Sequence, residues 1–201
     1  MDESQPGVIA SAKPYPLFIV TTEGGGIRAA YWTATVLGAL QEKDPAFASH
    51  VFAISGVSGG SVGAAVFNAL LAEAPQDGKY VERMQRMLGR DYLSPPLAAM
   101  LHGDFLQRFI PYPFERLDRG RILEEAWEAG WREEIYTGMA ARDGRQVPAR
   151  DRFGEDMMTL WKGADSKRWL PALFLNGTCV ELGDRVIASN LFIAHPYDGR
   201  V

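Results

Sequence analysis

Two successive units of the same kind, a short apolar strand, a glycine-rich turn and a helix, dominate the first third of the chain. Leu17 to Thr22 (LFIVTT) is apolar and β-branched, ends in Gly24-Gly25-Gly26, and passes into Ile27 to Glu42, where apolar residues recur at helical spacing before Asp44-Pro45. Val51 to Ile54 (VFAI) repeats the strand, Ser55 to Gly60 repeats the turn, and Ser61 to Glu73 repeats the helix, stopped by Pro75. Strands alternating with helices predict parallel strands joined by right-handed crossovers, and so an α/β sheet. The strand pattern then vanishes from 76 to 169. Tyr80 to Leu88 and Arg121 to Tyr136 read as amphipathic helices, the second with Leu123, Trp127 and Trp131 at four-residue steps. Between them Leu93 to Phe114 is apolar and broken by Pro95, Pro96, Pro111 and Pro113. Ala172 to Asn176 and Arg185 to Ser189 restore the strand signal around a Gly183-Asp184 turn. The expected organisation is a polar arm at 1–15 and one α/β domain at 16–201 with a helical insertion at about 76–169.

Charge removes one large class of partner. The 201 residues carry 21 Lys+Arg against 25 Asp+Glu, a net charge of -4, so there is no basic surplus to neutralise a phosphate backbone. Nucleic acid is not an expected partner. The single cysteine, Cys179, builds neither a disulfide within the chain nor a zinc cluster. Ala46 to Ala72 lacks Asp, Glu, Lys and Arg and is long enough to raise the question of a membrane span. Gly56, Gly59, Gly60, Gly63, His50 and Asn68 interrupt it, so it reads as a buried strand, a turn and a buried helix. The start, Met1-Asp2-Glu3-Ser4, lacks the basic region and apolar core of a signal peptide. A cytoplasmic or peripheral membrane location is expected, with no transmembrane helix.

Gly56-Val57-Ser58-Gly59-Gly60 is a Gly-x-Ser-x-Gly at a strand-to-helix turn, which is the context a nucleophile elbow requires. There Ser58 would sit on a strained turn with its hydroxyl exposed, and the helix N-terminus behind it would favour an alkoxide and a nearby oxyanion. The bland reading is a glycine turn with a helix-capping serine, a role open to Ser58 and Ser61 alike. Glu23-Gly24-Gly25-Gly26-Ile27-Arg28 occupies the corresponding turn of the first unit, and its amides can converge as an anion nest or oxyanion hole. Gly24-x-Gly26-x-x-Ala29 also matches the dinucleotide fingerprint, but the acidic residue needed at the end of the second strand is missing, since that strand ends in Ser55-Gly56. Arg28, in a first helical turn that disfavours cations, is expected either to pair with Glu23 or another carboxylate or to meet an anionic ligand.

A glycine loop one βα unit before a serine elbow resembles the patatin-like phospholipases, which share a Gly-Gly-Gly-x-Arg loop and a Gly-x-Ser-x-Gly elbow. Leu173 to Thr178, with Glu181-Leu182-Gly183 and Arg185-Val186, resembles the family's strand pair ahead of its aspartate, so the likeness covers about residues 16 to 190. The resemblance implies a three-layer α/β fold with a mostly parallel central sheet and a helical insertion. It implies Ser58 as the acylated nucleophile, Gly24, Gly25 and Gly26 with Gly59 as the oxyanion hole, and a dyad aspartate in an Asp-Gly-Gly or Asp-Gly-Ala motif. Neither a metal nor an organic cofactor is implied. Glu23 stands where many members have aspartate. Asp-Gly occurs at Asp77, Asp143 and Asp198 without continuing as that motif. The first two lie in polar turns, and Asp198, alone in the expected order, comes only eight residues after Asn190 with no strand to carry it, so the chain is expected to stop short of the family's C-terminal part.

A Ser58-Asp184-His195 triad is the rival order, although α/β-hydrolases place several strands between the glycine loop and the elbow. His50 and His102 read as a helix-end and a loop residue. Leu101 to Phe114 is expected either to pack over the sheet or to form a lid or membrane-contacting surface. The expected partner is a lipid or other acyl ester, with peripheral membrane contact. The competing function is a non-catalytic lipid-binding module that keeps the fold without the dyad aspartate.

Overall fold

The structure, a computed structural model, describes residues 15–75, 77–103, 105, 109, 110, 112, 118–136, 151–162 and 169–192. It is α/β, with a mostly parallel four-stranded sheet flanked by helices. Strands β1 (Phe18–Thr22), β2 (Val51–Val57), β3 (Ala172–Thr178) and β4 (Arg185–Ser189) lie side by side in chain order. The first three are parallel and β4 returns antiparallel to β3. The two βα units follow the sequence, with α1 at Gly26–Lys43 and α3 at Gly59–Glu73, and a short α2 (Phe47–His50) leads into β2.

One boundary differs from the sequence reading, and it bears on the site. β2 does not end at Ile54 but runs to Val57, because Ser55 and Gly56 pair with Thr21 and Thr22 on one side and with Phe174 and Leu175 on the other. Ladder bonds on both edges outweigh the weak strand preference of serine and glycine. The turn therefore shrinks from Ser55–Gly60 to Ser58 alone.

The uncharged run has the same explanation at both ends. Its first half is the central strand β2, and its second half is α3, which lies against β2 and β3 while α1 packs on it. A helix enclosed on that many sides has no solvent face to carry charge. Val66, Phe67 and Leu70 are fully buried on it, each contributing about 1.5–3 kcal/mol of transfer free energy. Asn68, fully buried on the same helix, donates from Nδ2 to the Pro171 carbonyl at 2.7 Å, which ties α3 to the start of β3.

Among the described residues between 77 and 162 there is no strand. Helix α4 (Val81–Leu88) packs on α1, with Tyr80 and Met84 against Gly38. Helix α5 (Ser94–Leu101) begins inside the proline-punctuated stretch, with Pro95 and Pro96 in its first turn where they cost no hydrogen bond. Helix α6 (Arg119–Gly130) continues as a π-helical turn, Trp131–Tyr136, where one uninterrupted helix was expected. Trp131 is fully buried and stacks on Phe153 with ring centroids 5.5 Å apart, so the fourth-residue stripe ends in the core. The arm, except Tyr15, lies outside the described residues. Tyr15 stacks on His50, whose Nδ1 is 3.1 Å from the Pro16 carbonyl oxygen, so His50 has a structural place at the end of α2.

Candidate active site

The whole turn between β2 and α3 is Ser58, with φ 52° and ψ -123°. A residue bearing a Cβ pays on the order of 1–3 kcal/mol for such a backbone, and it persists only where its surroundings over-determine it. Here β2 is paired with β1 up to Gly56 and with β3 up to Val57, and α3 starts at Gly59. Gly59 is obligatory, because a Cβ on it would fall inside the Gly26 carbonyl group. Ser58 is exposed and its side chain makes no capping bond to α3. Ser61 lies within α3 with its Oγ buried and unpartnered. The capping reading therefore fails for both serines, and the strain at Ser58 has no helix-end gain to offset it.

The glycine loop meets this turn directly. A Cβ on Gly24 would stand 3.3 Å from Ser58 Cβ and 3.9 Å from Ser58 Oγ, so the Gly24 main chain runs beside the hydroxyl. Gly25 (φ 149°) and Gly26 (φ 61°) turn the chain from β1 into α1 in conformations that an L side chain resists. Because Gly26 touches Gly59, the N-termini of α1 and α3 converge at Ser58. Neither first turn contains an acidic residue. The amides of both helix starts and their macrodipoles thus place uncompensated positive potential at one point. Arg28 is exposed and, among the described residues, forms no ion pair, so the salt bridge with Glu23 weighed from the sequence is not made.

Ser58, Gly26 and Gly59 line a cavity of about 580 Å³. Ile27, Ala30 and Val62 form one wall, and the other comes from the insertion: Arg90 to Leu93 between α4 and α5, with Leu123 and Trp127 of α6. The lining is mostly apolar, with few polar groups beside the hydroxyl. Sequence reasoning passed over the Arg90 to Leu93 wall, for which the only local signal is the carboxylate of Asp91 ahead of Ser94-Pro95-Pro96. Asp91 Oδ1 accepts from the Leu93 and Ser94 amides at 3.0 and 2.9 Å. The Ser94 hydroxyl, then those amides, hold its carboxyl below the usual range. Burial lowers the basicity of Arg90, but Glu133 and Glu134 at 2.8 and 3.1 Å outweigh it and raise its pKa. Tyr92 donates to the Met87 carbonyl at 2.8 Å, and burial pushes its phenol up to about 12. These bonds hold the wall in place.

Among the described residues, the candidate bases are not gathered at Ser58. Asp77 accepts from Lys79 N at 3.1 Å and from the buried Arg83 at 3.0 Å, a turn and ion-pair role. Asp143, Asp198 and His195 lie outside the described residues. Asp184 sits in the turn between β3 and β4. Among the described residues, Asp91 is the carboxylate that lines the same cavity as Ser58, and it is engaged in holding the start of α5. No group of three His, Cys, Asp or Glu side chains there is placed to hold a metal. His102 caps the end of α5. The described part of the apolar stretch leaves large side chains exposed. Leu93, Phe109 and Tyr112 are 73, 74 and 73% exposed, and Leu97, Leu101 and Phe105 are exposed as well.

The chain matches no protein-family model and no curated protein. Among solved structures it is similar to human GIVD cytosolic phospholipase A2, in complex with methyl gamma-linolenyl fluorophosphonate and terbium chloride. The identity is 15%, the TM-score is 0.37, and the match covers 88% of this chain and 23% of that one. The chain therefore spans about a quarter of that protein. At this level the likeness assigns no role to any residue.

Proposed function

We propose that this chain is a serine acyl-ester hydrolase acting on lipid esters, with Ser58 as its nucleophile. The observation that supports the reading most is Ser58 itself, an exposed serine in a strained turn, with the Gly24 backbone beside its Oγ and two helix N-termini converging on it. Ser58 Oγ attacks the ester carbonyl carbon, and its proton passes to an aspartate, for which Asp198 is the candidate by order in the chain. The carbonyl oxygen becomes an oxyanion held by the amides of Gly24, Gly25 and Gly26 with that of Gly59. Collapse of this intermediate expels the alcohol and leaves an acyl-Ser58 ester. Water then attacks the ester, releasing the fatty acid and restoring the hydroxyl. No metal or organic cofactor enters the scheme.

The apolar cavity suits the acyl chain, and the positive potential of the two helix N-termini suits an anionic neighbour of the ester. The exposed side chains of α5 and the residues after it, continuous with the cavity through Leu93, suit contact with a lipid surface. Among the described residues no helix is long and apolar enough to cross a membrane, so contact of this kind would be peripheral.

Labelling with a fluorophosphonate probe tests the reading against a non-catalytic lipid-binding module of the same fold. Covalent labelling of the wild-type chain that is lost in Ser58→Ala supports the hydrolase. Unlabelled wild-type protein that still binds lipid vesicles supports the module.

A further inference from the structure

Asn176 is the last residue of β3 to pair with β2, opposite Val57, and Ser58 follows with no ladder partner on either side. A strained residue persists only where its surroundings over-determine it, so whatever steadies the end of β2 matters to Ser58. The side chain of Asn176 supplies bonds where the main-chain ladder runs out. Its Nδ2 donates to the Gly56 carbonyl at 2.9 Å, to Ser55 Oγ at 3.0 Å and to the Phe174 carbonyl at 3.1 Å. Carbonyls only accept, so these contacts hold the amide nitrogen at β2 and leave the oxygen for β4. There Oδ1 accepts from Arg185 Nε at 3.1 Å and again from Nη2. An inverted amide would set its oxygen against two carbonyls and its nitrogen against a guanidinium, and would lose these bonds at both ends.

The peptide that Asn176 holds lies against the turn itself. A Cβ on Gly56 would stand 2.7 Å from the Cα and the amide nitrogen of Ser61, so the Gly56 main chain is pressed on the first turn of α3. Gly56 therefore leads into Ser58 along the chain and touches the helix that follows it, and a bond that fixes its carbonyl steadies the turn from both ends. Arg185 stands on β4, an edge strand whose side chains are largely exposed, and its two bonds to Asn176 tie that edge to the centre of the sheet. We propose that Asn176 is a positioning residue for Ser58, locked in one orientation by Arg185, which keeps the nucleophile in place between the glycine loop and the cavity. This assignment rests on the acyl-hydrolase reading. Arg185 acts through Asn176, and Asn176 acts through the Gly56 peptide; neither is given a part in the bond-making steps.

The test measures p-nitrophenyl ester hydrolysis, with sites counted by fluorophosphonate labelling, and amide hydrogen exchange on the same chain. Asn176→Leu should lower kcat by ~10²-fold with KM unchanged, as expected of a nucleophile displaced by about 1 Å. Arg185→Ala should lower kcat by ~10-fold, and the double variant should match Asn176→Leu alone, because Arg185 acts through Asn176. The Val62 amide donates to the Ser58 carbonyl at 3.3 Å. It should exchange at least ~10-fold faster in both single variants while the amides of α4 keep their wild-type rates, whereas a general loss of stability would speed both. Arg185 is an exposed side chain on an edge strand, so its variant decides the matter if Asn176→Leu fails to fold. Additive losses in the double variant, a change in KM alone, or unchanged Val62 exchange overturns the proposal. Failure of the hydrolase reading would look different, with the wild-type chain unlabelled by fluorophosphonate and Val62 exchange still deciding whether Asn176 holds the turn.

Discussion

The two strand-to-helix turns solve one geometrical problem in opposite ways. Between β1 and α1 the chain spends Glu23 to Gly25 on the turn, and the positive φ angles fall on Gly25 and Gly26, where they cost little. Between β2 and α3 it spends one residue, and the positive φ falls on Ser58, where it costs more. A glycine at position 58 would be the cheaper choice for folding. Strain kept at a position with a hydroxyl, next to a loop that avoids strain, is the pattern expected under the proposed reading, in which the first turn would offer backbone amides and the second a side chain.

The largest effect expected from that difference is on chemistry. Ser58→Ala should abolish p-nitrophenyl ester hydrolysis and fluorophosphonate labelling, an effect on the order of 10⁶ in rate where a nucleophile is removed. Ser55→Ala and Ser61→Ala should retain most of the activity. Full turnover by Ser58→Ala would reduce the second turn to the same structural status as the first. Gly25→Ala comes next. It should lower kcat by at least ~10²-fold with little change in KM, as when an oxyanion donor is displaced from the transition state. A change in KM alone would show that the loop merely borders the substrate.

Stability gives a smaller effect, with opposite signs at the two turns. Ser58→Gly should raise the unfolding free energy by about 1 kcal/mol through relief of strain, and Gly25→Ala should lower it by a comparable amount, both read from urea denaturation. If Ser58→Gly is destabilising instead, the strain argument fails while the nucleophile assignment stands. The smallest effect concerns the far wall of the cavity. Donors from Ser94 and Leu93 depress the Asp91 pKa, so the Asp91 contribution is complete above the unfolded value near ~3.9 and is lost as pH falls through the lower folded value. Asp91→Asn should flatten the acid limb of the stability curve, and an unchanged limb would show that another carboxylate controls it.

What could be read from the chain divides along the length scale of the interactions. The two βα units, the β3–β4 pair and the glycine-marked turns at Gly24 to Gly26 and at Ser58 were all legible, because each is written in contiguous residues. Period-2 and period-3.6 patterns and glycine placement act within a few positions. The limits of β2 were not legible, since Ser55 and Gly56 become strand only when β1 and β3 supply partners on both edges. Nor was the fate of Arg28, for nothing local tells that Glu23 stays out of reach. The cavity wall from Arg90 to Leu93 and the π-helical end of α6 depend on how the insertion packs, which no window of sequence contains. Asn176 makes the clearest case. From sequence it is one polar residue ending an apolar strand, and its role comes from bonds to Gly56, 120 residues earlier, and to Arg185 on the next strand. By itself the sequence determined which turns bend and which residue carries a hydroxyl there, since local sterics suffice for both. Only the tertiary structure decided what faces that hydroxyl, because side chains distant in sequence share one space only after the sheet has paired and the helices have closed over it.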